Sequence, residues 1–303
     1  MRMKLLENFW VATTKDAGTN WVKDKVPRLA AALAFYSMFS IAPLLLILVR
    51  LTGFFYGEAT ARDELREQLG EMTSPQTAET LMNLAENASQ SGDSVWATVV
   101  GFGALFFGAS GVFGQLQDSL NSIWGIKSKP EKGWLNMIKK RLLSFGMILV
   151  IGFLLLISLA LSTVISSMTN TLSTQLSVPE VLLPAVNVTI SFLAIAVLFG
   201  MIFKVLPDAN VRTRDVAVGA AIASALFTIG KFFLAWYLGR ESTTSAYGAA
   251  GAFVLVLLWV YYSSLILFLG AEFTHAYANR KGSPIEPSDH AVFVDTVELE
   301  QPA

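Results

Sequence analysis

The spacing Glu272-x-x-His275 places a carboxylate and an imidazole on one face of a helix, an arrangement that supplies half of a carboxylate-bridged di-metal site. A second such pair is absent, and a chain with two histidines and no cysteine offers no other ligand set of that kind. No metal and no cofactor is therefore expected, and Glu272 and His275 are expected to be solvated at a membrane interface. A GxxxxGK[ST] phosphate loop is also missing. The other chemistry-bearing residues are polar groups set into apolar runs. Gly101, Ala104, Gly108, Gly111, Gln115, Asp118 and Ser122 follow one another at steps of three and four, so all fall on one helical stripe that begins small and ends polar. The small residues suit a tight helix contact. Gln115 and Asp118 suit either a polar track or, for Asp118, the headgroup layer. Tyr36, Ser40, Pro43 and Ile47 share a second stripe, where Pro43 withholds a backbone donor and predicts a kink near mid-membrane. Ser40 there is either part of a bent polar wall or a local repair of the interrupted hydrogen-bond ladder. Lys231 stands inside an apolar run, about eight residues from its outer end, where a partly buried, partnered ammonium is expected, or else one that snorkels fully to the interface. Tyr261 and Tyr262 add hydroxyls to the last apolar run, which also carries Gly248 and Gly251 as packing positions.

These groups need a scaffold, and the composition says which kind. With 53% hydrophobic and 15% charged residues, the chain is too apolar for an ordinary soluble domain of 303 residues. A bilayer-spanning helix takes about 20 mainly apolar residues. Six windows between charged residues qualify, predicting helices at about 29–52, 95–117, 142–166, 181–203, 216–239 and 247–271. Long apolar runs exclude barrel strands, which are about 10 residues of alternating polarity. The fold class is all-α, a polytopic integral membrane protein. Of the 22 Lys and Arg side chains, 17 fall on the side of the two termini, only Arg50, Arg62, Arg66 and Arg240 on the other, and Lys231 within a span, so both ends are expected in the cytoplasm. The first apolar run follows a 28-residue polar segment and is long enough to span, so it is expected to remain as an anchor.

Residues 1–28 form a juxtamembrane segment in which Leu5, Leu6, Phe9 and Trp10 recur at helical spacing, as in a helix lying in the interface. Residues 53–94 form an acidic outer loop. Its stripes Leu65, Leu69, Met72 and Leu81, Leu84, Ala88, separated by Ser74-Pro75, predict two short amphipathic helices capping the outer face, or else a solvated hairpin. Residues 280–303 are polar and proline-bearing, and a disordered cytoplasmic tail is expected.

Four stretches together resemble the YihY/BrkB family of bacterial inner-membrane proteins, once described as ribonuclease BN. They are LAAALAFYSMFSIAPLLL from Leu29, GASGVFGQLQDSLNSIWGI from Gly108, KVLPDANVRTRDVAVGAAIASALFTIGKFFLAWYL from Lys204 and YGAAGAFVLVLLWVYYSSLILFLGAEFTHAYAN from Tyr247. The resemblance implies a six-helix protein of the bacterial inner membrane, linked to envelope integrity and, in some relatives, to lipid export. The polar positions it carries over are Tyr36, Ser40 and Pro43; Gln115, Gln117, Asp118 and Asn121; Pro207, Arg214, Asp215 and Lys231; and Tyr261, Tyr262, Gly270 and Glu272. The nuclease label fails on chemistry, because His275 and His290 cannot build a metal-ligand cluster and no basic, aromatic-studded surface domain exists for RNA. The expected protein is therefore not an enzyme and has no nucleic-acid partner. A lipid or amphiphile transporter or flippase is the leading expectation. A small-solute transporter or channel and a scaffold for envelope proteins are the alternatives. Its partners would be membrane lipids, with envelope or periplasmic proteins and the oligomeric state left open. The candidate pathway comprises Tyr36, Ser40, Pro43, Gln115, Asp118, Lys231, Tyr261, Tyr262 and Glu272.

Overall fold

The computed structural model describes residues 2–72, 75–90, 111–129, 182–238 and 248–294. The span expected at 142–166 lies outside them, as do most of the span at 95–117 and the packing positions Gly101, Ala104 and Gly108. The described chain is mostly helical. The helices are α1 (Arg2–Lys23), α2 (Val26–Tyr56), α3 (Glu58–Met72), α4 (Pro75–Gln90), α5 (111–123), α6 (Leu182–Val205), α7 (Thr213–Leu238) and α8 (Gly248–Arg280). Among the described residues, three stretches are long and apolar enough to cross a membrane: Val188–Val205, Thr213–Lys231 and Phe253–Arg280. Val188, Leu193, Val197, Ile229, Val254 and Leu258 on these helices are exposed, a surface that water would not stabilise and acyl chains would. The 33 residues of α8 extend about 50 Å at 1.5 Å per residue, so this helix outreaches a hydrocarbon layer about 30 Å thick.

One end of the bundle carries α3 and α4, which both lie against α2, with α3 also meeting α7 and α4 meeting α8. Leu45, Leu81, Ala85 and Val256 form one cluster there, and Leu48, Val49, Leu65 and Met82 form another. The stripe residues Leu65 and Leu81 thus face protein, while Arg62 and Glu86 pair across the two short helices at 3.0 Å. The opposite end is closed by two small antiparallel ladders. Strand β1 (Ile126–Ser128) pairs with β4 (Ala291–Phe293), and β2 (Ala209–Asn210) pairs with β3 (Glu286–Pro287). Residues 283–294, expected to be disordered, are instead ordered because their backbone groups find partners in the loops after α5 and α6. Val294 N–H donates to the Gly125 carbonyl at 2.9 Å and Ser288 N–H to the Asp208 carbonyl at 3.0 Å. Gly282, at φ 76, permits the turn that ends α8 and sends the chain back toward those loops.

The main core lies between these ends. Trp124, Phe203, Phe268, Leu120 and Ile123 are fully buried within it, and the Trp124 indole N–H donates to the Ala271 carbonyl at 3.3 Å. Helix α1 was expected to use its aromatics to lie on a membrane. Those aromatics also pack on α8: the Trp10 ring stacks on Phe273 and Tyr277, Phe9 meets Tyr277 edge-on, and Asp16 pairs with Arg280. The turn into α2 passes through Lys25 at φ 54, a left-handed conformation that disfavours a side-chain-bearing residue by roughly 1–2 kcal/mol.

Candidate functional site

Polar side chains gather at the strand end in three clusters, two of them bonded networks. In the first, Asn121 at the end of α5 is 3% exposed and grips Asp208 twice. Its amide donates to the Asp208 carboxylate at 3.1 Å, and its carbonyl accepts the Asp208 backbone N–H at 2.9 Å. The Ser128 hydroxyl donates to the same carboxylate oxygen. In the second, the buried Asp215 in the first turn of α7 accepts the Ser283 hydroxyl at 2.9 Å, with the Lys281 ammonium 3.9 Å away. A carboxylate is well placed there by the helix dipole.

Beside these bonded groups, the third cluster holds buried polar atoms without hydrogen-bond partners. Glu272 is completely buried, and neither carboxylate oxygen has a hydrogen-bond partner among the described residues. The expectation that Glu272 is solvated is therefore overturned: α1 covers it. Its ionisable neighbours are Asp24 and Lys23 at the end of α1. His275, one turn along α8, lies against the Ile123 backbone with its Nδ1 buried and unpartnered. The Trp21 indole nitrogen, one helical turn before Asp24, is also buried without a partner. Beside the second network, Lys204, Asn210, Arg212, Thr213, Ser283 and Glu286 line an open cleft, with the Lys204 ammonium donating to the Val211 carbonyl.

The remaining candidates are distributed along the bundle. Ser40 is 7% exposed, and its hydroxyl donates to the Tyr36 carbonyl at 3.4 Å, three residues before the Phe39 carbonyl that lacks a helical donor at Pro43. Helix α2 runs unbroken through Pro43. Tyr36 is exposed, and its ring covers Gly111 of α5. A Cβ built at Gly111 would meet the Tyr36 ring at 3.1 Å. Because that ring can swing outward, Gly111→Ala is expected to change stability by less than about 1 kcal/mol, read from thermal unfolding in detergent. Gln115 donates to the Ser119 hydroxyl at 3.1 Å, along its own helix. Asp118 is exposed and engaged in a contact, and Lys231 is half-buried and likewise engaged. The Tyr262 hydroxyl sits over Gly230, the residue before Lys231, while Tyr261 packs on the main core. Gly248 and Gly251 lie in the first turn of α8. Glu272 stands ten residues beyond Tyr262 on α8, about 15 Å away. The structure thus joins Tyr36 to α5 and Tyr262 to α7 as two separate contacts and sets Glu272 apart at the strand end.

The close backbone approach of α7 to α8 involves residues that periodicity alone does not single out. Gly219 of α7 faces Gly270 and Thr274 of α8, and Ala223 faces Gly270. The small residues at 219 and 223, four apart in the sequence, were the available signal.

Comparison with known proteins gives one family match: the model for virulence factor BrkB fits residues 17–292. Relatives described as UPF0761 membrane proteins are similar over most of their length. One from Mannheimia succiniciproducens is 28% identical over 255 residues, covering 83% of this chain and 84% of its own. Another, from Vibrio campbellii, is 29% identical over 264 residues, with 85% and 79% covered. A third, from Haemophilus influenzae, is 28% identical over 274 residues, with 88% and 94% covered. No solved structure matches.

Proposed function

The chain belongs to the virulence factor BrkB family, whose relatives are membrane proteins, and on that premise we propose that it moves a lipid or another amphiphilic envelope component across the bacterial inner membrane. In this reading six helices span the bilayer, both termini are cytoplasmic, and the protein carries out no chemical transformation. The side assignment is supported by the strand end, where Lys204, Arg212, Arg214, Arg280 and Lys281 come together, since cationic side chains are retained on the cytoplasmic side. The acidic helices α3 and α4 then face the periplasm.

One observation carries the transport reading. Ionisable side chains stand on helices apolar enough to span: Lys231 at the end of the stretch Thr213–Lys231, and Glu272 in the last third of the stretch Phe253–Arg280. An ionisable side chain on a spanning helix costs up to about 2.5–3.5 kcal/mol at the centre and less toward an end, and residues retained there mark substrate or ion pathways. A scaffold has no use for them. In an amphiphile path, the tails stay in the acyl layer while the headgroup passes polar side chains. Lys231 acts there as a transient counter-ion for a phosphate, and the cationic cleft at Lys204 and Arg212 receives the headgroup at the cytoplasmic face.

The test is scrambling of headgroup-labelled phospholipids by purified protein in liposomes, with Lys231→Met and Asp118→Asn beside wild type. Wild type should equilibrate the label between leaflets, and Lys231→Met should lose at least about tenfold in rate while melting at the wild-type temperature, a loss of about 1.4 kcal/mol of transition-state stabilisation. A folded, fully active Lys231→Met removes the counter-ion assignment. No movement of any headgroup tested, with deletion of residues 58–90 disturbing envelope integrity, would favour the scaffold.

A further inference from the structure

The loop after α6 and the turn after α8, far apart in the sequence, meet across the open cleft at the strand end, a space of about 550 Å³. The first segment brings Lys204 and Arg212 to it, and the second brings Glu286. The frame around these charges is fixed. Glu286 stands opposite Asn210 in the β2–β3 ladder, Asp208 just before β2 is gripped by Asn121, and the Ser283 hydroxyl is committed to Asp215. The Lys204 ammonium gives one of its three donors to the Val211 carbonyl, which pins it and leaves two. Arg212 and Glu286 are exposed, and neither side chain has a hydrogen bond or ion pair among the described residues. Opposite charges that line one cleft without closing on each other leave room for a molecule that carries both signs. Its level in the membrane is also set. Lys204 lies at the end of the spanning stretch Val188–Val205, next to the exposed Val205, so the cleft opens where the acyl layer gives way to headgroups.

We propose that this cleft binds a phosphate ester that also carries a primary ammonium, and that its source is the phosphoethanolamine headgroup of a lipid. The phosphate oxygens accept from the Arg212 guanidinium and from the two remaining Lys204 donors, and the dipole of α7, which begins at Thr213, adds to their field. The ammonium of the headgroup donates to Glu286. A headgroup that is only anionic is turned away, because Glu286 would stand unpaired beside it. A quaternary ammonium has no N–H to give, and the described lining contains none of the aromatic faces that hold such groups. The lipid source rests on the transport reading above, whereas the pairing of a phosphate with a primary ammonium rests on the cleft alone.

The test is binding by the full chain in detergent, titrated with short-chain phosphatidylethanolamine, phosphatidylcholine and phosphatidylglycerol, with a Kd for each from native mass spectrometry. Wild type should hold the ethanolamine lipid at least about tenfold more tightly than either of the others. Arg212→Gln should weaken all three. Glu286→Gln should weaken the ethanolamine lipid by at least about tenfold and tighten phosphatidylglycerol, since it removes the attraction for one and the repulsion for the other. Both side chains are exposed, so both variants should unfold at the wild-type temperature. Arg214→Gln removes the same charge from outside the cleft lining and should leave the preference intact. A wild type without preference, a preference that survives Glu286→Gln, or an equal loss in Arg214→Gln and Arg212→Gln overturns the site. Soluble glycerophosphoethanolamine, titrated by calorimetry, separates the two sources: it should bind at least about tenfold more weakly than the lipid, and equal affinity removes the lipid as the source. Scrambling that fails while the preference holds removes the transport reading alone, and scrambling without any preference removes the headgroup site alone.

Discussion

Gly219→Ala should lower stability by about 1–3 kcal/mol, and Gly219→Leu should prevent α7 and α8 from packing at all. A methyl group at Gly219 would lie 1.8 Å from the Thr274 hydroxyl and 2.7 Å from the Gly270 carbonyl oxygen. The first contact is with a side chain, but that hydroxyl is committed, since it donates to the Gly270 carbonyl at 2.8 Å and is buried. The second is with backbone, which can yield only if one helix moves. Movement is resisted on the far side of α7, where the Ser224 hydroxyl donates to the Phe192 carbonyl of α6 at 2.8 Å. In a bilayer, helices gain no hydrophobic advantage by meeting each other rather than lipid, so close backbone approach supplies much of the attraction. The measurement is thermal unfolding in detergent or nanodiscs. Gly219→Ala combined with Thr274→Ala should recover part of the loss, because it removes the hydroxyl contact while the carbonyl contact remains. Complete recovery would mean that the backbone approach contributes nothing.

The second large effect is expected at Asn121. Asn121→Leu keeps the volume but removes both bonds to Asp208, leaving a backbone N–H and a carboxylate without their buried partner. A stranded polar group costs about 1–3 kcal/mol, more when charged, so about 2–4 kcal/mol is expected overall. The loss should be local before it is global. Asp208 also receives the Ser128 hydroxyl and, through its carbonyl, the Ser288 N–H, so both ladders lose their common anchor. Hydrogen exchange should therefore quicken first at the amides of 286–293, with the α7–α8 pair keeping its protection. Uniform quickening throughout the bundle would show that Asn121 is not the local anchor.

How far the sequence speaks for the structure differs from place to place, for physical reasons. Apolar length is a property of one segment, so the three spanning stretches are readable without knowing any contact. The two stripes in the acidic loop are similarly local: helix α4 opens at Pro75, where the ring fixes the first turn, and Leu65 and Leu81 are buried. Amphipathicity does not say what an apolar face meets. Phe9 and Trp10 would serve a membrane surface as well as they serve Phe273 and Tyr277. The tail misleads for the opposite reason, because its order comes from partners near residues 126 and 209, far away along the chain. Within the candidate site, Tyr36, Tyr262 and Lys231 were found as polar residues in apolar runs, and their contacts with particular helices could not be. Glu272 stands out in the sequence by its spacing to His275, yet its ionisable neighbours lie some 250 residues earlier, and no local pattern carries that information.

The two ladders also impose an order on how the molecule is made. β1 emerges from the ribosome with residues 126–128 and pairs with residues 291–293, so its partner is synthesised about 165 residues later. At 5–20 residues per second, that interval is on the order of ten to thirty seconds, during which α5, α6 and α7 have entered their surroundings with their strand ends unfinished. The last stretch of polypeptide therefore acts as a clasp on helices already in place, and a stop codon just before Glu286 would yield a protein that contains every described helix and yet never closes.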